Sequence, residues 1–326
     1  MSTPLFEVHG LRVEFPTRRG TLVAVDDVSF SIAPGEVLGV VGESGAGKSL
    51  TGTAIIGLLE PPGRVAAGEI RLEGERIDNL PPEKMRRIRG RRIGAIFQDP
   101  LTSLNPLYTV GRQLEETILT HLDVSQGEAR NRALALLREV GIPAPENRID
   151  QYPHQFSGGM RQRVVIALAL CAEPRLIVAD EPTTALDVSI QAQIITLLKR
   201  LAREHGTAVM LITHDMGVIA ETADRVAVMY AGRVAEIGPV REVIHAPKHP
   251  YTTGLMGSIP KLGAGTGKRH SRLVQIEGSM PRLNAIPPGC AFNPRCPKRF
   301  DRCTAERPDP LAAGSGIAAC WLYAPA

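Results

Sequence analysis

The sequence predicts an α/β protein built on a doubly wound, mainly parallel sheet. Three apolar segments support this fold class: residues 36–41, 176–179 and 208–213 are short and almost continuously hydrophobic, as strands buried on both faces are. A helix that Asp187 can cap, and that Gly206 can end, separates the last two segments. Strand, helix and strand in this order imply right-handed crossovers, so functional loops should lie at the carboxyl ends of the strands.

Length and composition exclude several classes of protein. The chain has 326 residues, of which 43% are hydrophobic and 22% charged, close to the averages of globular domains. Its net charge is only +4. The densest basic run, residues 85–92, is explained by a solvated helix face. We therefore expect no nucleic-acid partner. The longest apolar run, residues 164–172, is far shorter than the roughly 18 residues of a membrane span. The N-terminus does not resemble a secretory signal, so the cytoplasm is the expected compartment.

The composition and the predicted secondary structure change along the chain. Residues 6–32 contain short β-rich pieces and predict a small antiparallel sheet. Residues from about 98 to 164 are more polar and helical, and predict a helical subdomain inserted into the α/β core. Proline and glycine become frequent after about residue 236. We therefore expect one large domain over residues 1–235 and a C-terminal extension over residues 236–326.

A phosphate-binding motif follows the first buried strand. The pattern G-x-x-x-x-G-K-[ST] lies between that strand and an apolar-periodic segment, which is the context that the motif requires. Its glycines let successive backbone N–H groups converge on phosphate oxygens, and the following helix adds its N-terminal dipole. Lys48 should contact the β- and γ-phosphates of ATP, and Ser49 should ligate Mg²⁺. The candidate binding residues are Gly42, Glu43, Ser44, Gly45, Ala46, Gly47, Lys48 and Ser49.

Two adjacent acids end the second buried strand. Asp180 and Glu181 follow residues 176–179, and successive side chains on a strand point in different directions. We therefore expect Asp180 to face the Mg²⁺ shell and Glu181 to face the γ-phosphate, where it can orient and deprotonate a water molecule.

Further motifs extend this pattern. The segment Phe156-Ser157-Gly158-Gly159-Met160 resembles the signature motif of ATP-binding-cassette (ABC) ATPases, usually written L-S-G-G-Q. Gln98 resembles that family's Q-loop glutamine, residues 185–187 its D-loop and His214 its switch histidine, all in the family's order. The resemblance covers about residues 6–240. Phe156 and Met160 depart from the usual Leu and Gln but leave Ser157 and both glycines in place.

The resemblance implies ATP hydrolysis by a pair of subunits. Ser157, Gly158 and Gly159 would contact a nucleotide bound to a second ABC ATPase subunit, either another copy or a paralogue. Gln98 and His214 would contact the γ-phosphate, with Gln98 also near Mg²⁺. Phe15 stands where the family stacks an aromatic ring on adenine, although an ordinary core phenylalanine explains it almost as well.

The C-terminal region narrows the resemblance. Residues 248–252 and 255–260 resemble the oligopeptide/dipeptide branch of ABC importers. This implies a peripheral subunit on the cytoplasmic face of the cell membrane, docked on two membrane-spanning permease subunits and served by an extracytoplasmic solute-binding protein. The loop at residues 105–108 would contact a permease, unless it is plain loop packing. Dipeptides, longer peptides, nickel complexes and other small solutes are all compatible with the resemblance.

Other functions fit less well. A soluble ABC ATPase acting on nucleic acid or the ribosome would need tandem cassettes, long coiled-coil insertions or zinc modules, and the chain has one compact cassette. A redox sensor that retains the ATPase would signal without binding a permease.

Four cysteines crowd the extension. Cys290, Cys296, Cys303 and Cys320 have the spacing C-x5-C-x6-C-x16-C, which matches neither paired zinc knuckles nor ferredoxin patterns. Clustered thiols in a proline-rich, core-poor segment of a reducing compartment favour a metal over disulfides. The resemblance to peptide importers points to a [4Fe–4S] cluster, with zinc, free thiols or disulfides as alternatives. Cys171 lies in an apolar run and is most simply a buried small hydrophobe.

Overall fold

The computed structural model describes residues 3–184, 186–258 and 275–325. Its strands are β1 (Phe6–Thr17), β2 (Gly20–Ile32), β3 (Val37–Val41), β4 (Arg64–Leu72), β5 (Glu75–Arg76), β6 (Ile93–Ile96), β7 (Leu176–Asp180), β8 (Ala208–Ile212), β9 (Arg225–Tyr230), β10 (Arg233–Pro239), β11 (Leu311–Ala313) and β12 (Gly316–Ala318). Its α-helices are α1 (Lys48–Ile55), α2 (Pro82–Ile88), α3 (Pro100–Ser103), α4 (Val110–His121), α5 (Gln126–Glu139), α6 (Pro145–Arg148), α7 (Gly158–Leu170), α8 (Val188–His205), α9 (Met216–Thr222), α10 (Val240–His245), α11 (Pro250–Gly257) and α12 (Asp301–Ala305).

The larger sheet confirms the predicted α/β core. Its strand order is β11-β12-β10-β9-β3-β8-β7-β6, and the strands from β9 to β6 are parallel to one another. Strands β3 and β8 are buried along their whole length, which explains their continuous apolar sequences. Helix α8 begins where Asp187 accepts a hydrogen bond from the Ile190 amide at 2.9 Å, and it ends at Gly206 in the left-handed conformation.

A smaller antiparallel sheet has the order β2-β1-β4-β5, which confirms the predicted β region at residues 6–32. The helices α3 to α7 lie between β6 and β7 in the chain, at the place of the predicted helical insertion. Their apolar faces share the core that also covers one face of the parallel strands. No helix among the described residues is long and apolar enough to cross a membrane.

The C-terminal residues continue the main sheet. Strand β12 pairs with β10 through Glu236 and Ile237, and β11 pairs with β12. The expected boundary between residues 235 and 236 therefore falls inside β10. Phe292 packs edge-on against Tyr230 at the end of β9, with ring centroids 5.2 Å apart. The extension and the α/β core thus share a sheet and an apolar contact.

Candidate nucleotide site

The parallel sheet gathers the predicted site residues at one edge. The Thr213 amide donates to the Val40 carbonyl oxygen at 3.1 Å, and the Glu181 amide donates to Ile212 at 2.9 Å. These bonds continue the β3–β8–β7 ladder beyond the ends of the strands. The loop after β3, the two acids at the carboxyl end of β7 and His214 after β8 consequently lie side by side, as the strand order predicts.

The phosphate loop packs closely against the end of β9 and is bound by the side chain of Lys48. Gly42 has φ +150°, and a Cβ there would lie 2.3 Å from the Met229 carbonyl oxygen, so only glycine fits. Lys48 is 7% exposed, and its ammonium donates to the carbonyl oxygens of Gly42 at 2.9 Å and Glu43 at 3.1 Å. Burial lowers the pKa of Lys48. The negative charges of Glu181, Asp180 and Glu43 raise this pKa, but the effect of burial is larger. The loop therefore carries a desolvated cation beside backbone amides, which suits an anionic ligand.

Ser49 and Asp180 provide adjacent oxygen ligands. The Ser49 hydroxyl donates to Asp180 Oδ1 at 3.1 Å across 131 residues of sequence. Burial is the main cause that raises the pKa of Asp180. A hydroxyl and a carboxylate in contact form a donor set that fits Mg²⁺.

Glu181 lies at the centre of a polar cluster. Gln98 Nε2 donates to Glu181 Oε2 at 3.1 Å, and His214 Nδ1 lies 3.1 Å from Glu181 Oε1. Thr184, which the sequence analysis missed, donates its hydroxyl to Oε2 at 2.9 Å. Burial opposes ionisation of Glu181, but the hydrogen bonds of His214 and Thr184 outweigh it and lower the pKa of the carboxyl. Glu181 is thus an oriented, ionised carboxylate.

Comparisons with known proteins agree with this geometry. The family model described as ABC transporter matches residues 25–184, and the model described as oligopeptide/dipeptide transporter, C-terminal region, matches residues 235–303. A dipeptide transport ATP-binding protein of Bacillus subtilis, DppD, is 49% identical over 98% of this chain and 94% of its own length. The chain belongs to the ABC transporter ATP-binding proteins.

Other relatives and solved structures agree. The oligopeptide transport ATP-binding protein OppD of Salmonella typhimurium is 46% identical over 97% of this chain and 93% of its own length. The dimeric post-hydrolysis structure of the ATP-binding cassette MJ0796 with ADP and Pi has a TM-score of 0.65 at 30% identity, covering 72% of this chain and 99% of that one. The cbiO1 structure of Clostridium perfringens has a TM-score of 0.64 at 29% identity, covering 75% and 92%.

The segment that resembles the ABC signature motif begins helix α7. Ser157 caps this helix by accepting from the Met160 amide at 3.3 Å, and both Ser157 and Gly158 are exposed. The two departures from the usual motif are packing residues: Phe156 is buried, and Met160 is half-buried against the larger core. They therefore leave the exposed polar face of the motif unchanged.

Two other predicted positions are less decisive. Phe15 is half-buried against the smaller core, and a Cβ on Gly63 would lie 2.7 Å from its ring. The contact fits a core side chain, so its role in adenine stacking stays a prediction. Of the D-loop, Leu186 and Asp187 are described, whereas Ala185 lies outside the described residues, as do residues 259 and 260 of the importer-like tail.

The four cysteines of the extension surround one small cavity, which Cys290, Cys296, Cys303 and Cys320 all line. All are free thiols, as is the buried Cys171. Burial is the main cause that raises the pKa of Cys290 to about 11. Within the described ranges, no three His, Cys, Asp or Glu side chains form a group that could hold a metal ion as they stand. The structure thus brings the thiols together without assigning them a metal.

Proposed function

We propose that this chain is the ATP-hydrolysing subunit of an importer of dipeptides or oligopeptides. The observation that carries the proposal is the Glu181 cluster, in which an ionised carboxylate lies beside the lysine loop and is held by Gln98 and His214. The peptide class is supported by relatives whose similarity covers the C-terminal region as well as the ATP site. The solute itself binds to other subunits of such an importer.

The residues of the site divide the work of phosphoryl transfer to water. Lys48 offsets the charge of the β- and γ-phosphates, and its bonds to two loop carbonyls keep it in place before ATP arrives. Glu181 orients the attacking water, takes its proton and leaves ADP and phosphate as products. Oε1 of Glu181 lies 3.1 Å from His214 Nδ1 and Oε2 accepts from Gln98 and Thr184, so Oε1 retains acceptor capacity for the attacking water. The exposed Gln98 and His214 are free to turn towards the γ-phosphate.

A divalent cation fits this site through its oxygen ligands. Ser49 and Asp180 would hold Mg²⁺, and Gln98, which donates to the neighbouring Glu181, would lie close to the ion. When bound, the ion would supply positive charge to the phosphates. The chain's own contribution is to hold the serine hydroxyl against the aspartate carboxylate.

Glu181→Gln tests the role of the carboxylate. In the transporter assembled with its permease subunits, this variant should bind ATP with nearly unchanged affinity while hydrolysis falls by about 10²-fold or more. Lys48→Ala is the contrasting variant, since it should lose ATP binding itself. Phosphate release by Glu181→Gln at the wild-type rate would refute the assignment. Uptake of labelled di- and oligopeptides into proteoliposomes tests the solute class, and ATP hydrolysis without peptide uptake would refute that part.

The exposed apolar side chains support docking to other subunits. Leu107 is 78% exposed in the loop proposed to contact a permease, and Val188 is 84% exposed beside the D-loop. We infer that the first region contacts one of the two permease subunits of the importer, and that a second cassette covers the second region and Ser157, Gly158 and Gly159. The complex would lie on the cytoplasmic face of the membrane and receive peptide from an extracytoplasmic binding protein. Leu107→Glu should weaken co-purification with the permeases, whereas Leu58→Glu, at a 42% exposed control position, should not.

We also propose that residues 236–326 act as an extension that holds a [4Fe–4S] cluster. Four thiols around one cavity are a donor set that such clusters use, and four irons space their ligands more widely than a single ion does. Anaerobically purified wild-type protein should contain iron and absorb broadly in the visible range. Cys296→Ser with Cys303→Ser should lose both signals, while Cys171→Ser, at a buried position elsewhere, should keep them. Iron-free wild-type protein without this absorbance would exclude the cluster.

A further inference from the structure

We propose that Tyr251 and Arg295 of the C-terminal extension are positioning residues of the phosphate loop, acting through Glu43. The inference rests on the proposed function, because it assigns the loop to ATP. It also gives a role to the segment at residues 248–252, whose importer-like sequence the nucleotide site leaves unexplained.

Tyr251 holds the backbone of the loop. Its side chain is fully buried, and its hydroxyl accepts a hydrogen bond from the Glu43 amide at 2.9 Å across 208 residues of sequence. The Glu43 N–H therefore points away from the phosphate side and into the extension. An N–H that is partly withdrawn from water and loses its acceptor is unfavourable, so the hydroxyl favours one conformation of the loop.

Tyr251 is itself rigidly placed. Its ring lies 4.6 Å from that of Tyr230 and 5.4 Å from that of Phe292, between centroids. Its amide donates to His249 Nδ1 at 3.0 Å, and the His249 amide donates to the buried carboxylate of Glu236 at 2.8 Å. Because its ring and its backbone are both fixed, the Tyr251 hydroxyl can fix the position of the Glu43 amide.

Arg295 binds the side-chain carboxylate of Glu43. Its guanidinium donates to Glu43 Oε2 at 3.0 Å, and the arginine side chain is 8% exposed against 28% for the glutamate. Arg295 is fixed in turn by the carbonyl oxygen of Glu277 at 2.8 Å and by the Tyr230 hydroxyl at 3.4 Å. Because the pair is largely withdrawn from water, its charges are weakly screened.

The third polar group of Glu43 faces the nucleotide side. Its carbonyl oxygen accepts from Lys48 Nζ at 3.1 Å and from the Ala46 amide at 3.2 Å. Glu43 therefore joins the extension, through its amide and carboxylate, to the phosphate-binding lysine, through its carbonyl. A loop that is ordered before ATP binds spends less binding energy on ordering.

Arg295 also has an electrostatic consequence. Glu43 places a carboxylate in a loop that must bind phosphates, and unpaired negative charge there repels the nucleotide. Arg295 neutralises this charge from the side away from the solvent. Loss of the arginine should therefore weaken ATP binding, and simultaneous removal of the glutamate charge should restore part of it.

Binding of AMP-PNP with Mg²⁺ to the purified full chain tests the inference by calorimetry. Tyr251→Phe keeps the ring and removes the acceptor, and its Kd should rise about tenfold, equal to about 1.4 kcal/mol. Arg295→Gln should show a rise of similar size, and Glu43→Gln with Arg295→Gln should bind more tightly than Arg295→Gln alone. In steady-state hydrolysis by the transporter assembled with its permease subunits, KM should rise while kcat at saturating ATP stays within about twofold.

Matched controls distinguish loop positioning from a loosened extension. Tyr323→Phe removes another hydroxyl of the extension, which donates to Lys248, and Arg302→Gln removes an arginine that lies over Trp321. Both should leave the Kd unchanged. Wild-type binding with an unchanged Kd in Tyr251→Phe and Arg295→Gln would overturn the inference, as would absence of rescue in the double variant. A wild-type chain that binds no nucleotide would instead overturn the proposed function.

Discussion

Alanine substitutions at two neighbouring glycines separate helix propensity from packing. Gly158 and Gly159 are the first two residues of α7. A Cβ on Gly158 would meet only Leu186 Cδ2, at 3.8 Å, which is an ordinary contact. A Cβ on Gly159 would lie 2.8 Å from Ile190 Cγ2 at the start of α8, which requires a side chain or helix to move. The same chemical change should therefore have opposite effects at adjacent positions.

The magnitude follows from these contacts. Replacing glycine by alanine within a helix stabilises a protein by about 0.5–1 kcal/mol, so Gly158→Ala should raise the free energy of unfolding by up to that amount. At Gly159 the same gain is opposed by overpacking, which costs about 1–3 kcal/mol. The two variants should differ by about 2 kcal/mol, which corresponds to roughly 3 °C in the unfolding midpoint of a chain of 326 residues.

Thermal unfolding followed by circular dichroism, without nucleotide, measures the difference. Gly158→Ala should unfold at or above the wild-type midpoint, and Gly159→Ala below it. A Gly159→Ala variant as stable as Gly158→Ala would refute the packing argument. ATP hydrolysis by the assembled transporter should nevertheless fall in Gly158→Ala, because this exposed glycine lies on the face proposed for the second nucleotide.

Three further predictions concern other parts of the molecule. Asp187→Ala should lower the free energy of unfolding by about 1 kcal/mol because α8 loses its cap, whereas Asp187→Asn, which can still cap, should not, as chemical denaturation would show. Burial opposes ionisation of Asp26, but neighbouring arginines such as Arg233 lower its pKa. The destabilisation by Asp26→Asn should thus persist above about pH 4 and shrink only as the pH falls through this lowered pKa, which pH-dependent unfolding midpoints can test. Ser49→Ala should raise the Mg²⁺ concentration for half-maximal hydrolysis about tenfold, and an unchanged requirement would exclude Ser49 as a ligand.

Local sequence patterns predicted the parts of the fold that depend on local physics. Strand β3 has a continuous apolar sequence because neighbours cover both of its faces, and α8 carries its own cap and end signals. Strand β4 was missed because Arg64–Leu72 contains alanines and a glycine and alternates weakly. Strand β12 has three residues, and it is a strand because it pairs with β10 on one side and with β11 on the other. Such pairing depends on contacts distant in sequence, which no short pattern records.

The nucleotide site shows the same distinction. Lys48 and Ser49 belong to a contiguous motif, and Asp180 with Glu181 follows a strand whose position the sheet order determines. Thr184 was missed although it lies three residues after Glu181, because a hydroxyl in a turn has no distinctive spacing. Contacts between Glu43 and the extension span more than two hundred residues, so they became visible only in the fold.

The loop and the extension form a single electrostatic unit. A glutamate at the second position of a phosphate-binding motif adds a negative charge to a loop that must bind anionic phosphates, which is unfavourable by itself. It becomes acceptable because Arg295 pairs with the carboxylate and Tyr251 accepts from the amide. The boundary inferred from composition, at residue 235, separates these partners. A cassette truncated at residue 235 would retain every residue of the nucleotide motif but lose Arg295, Tyr251 and the end of β10, so weak ATP binding by such a fragment would not indicate a defect in the motif itself.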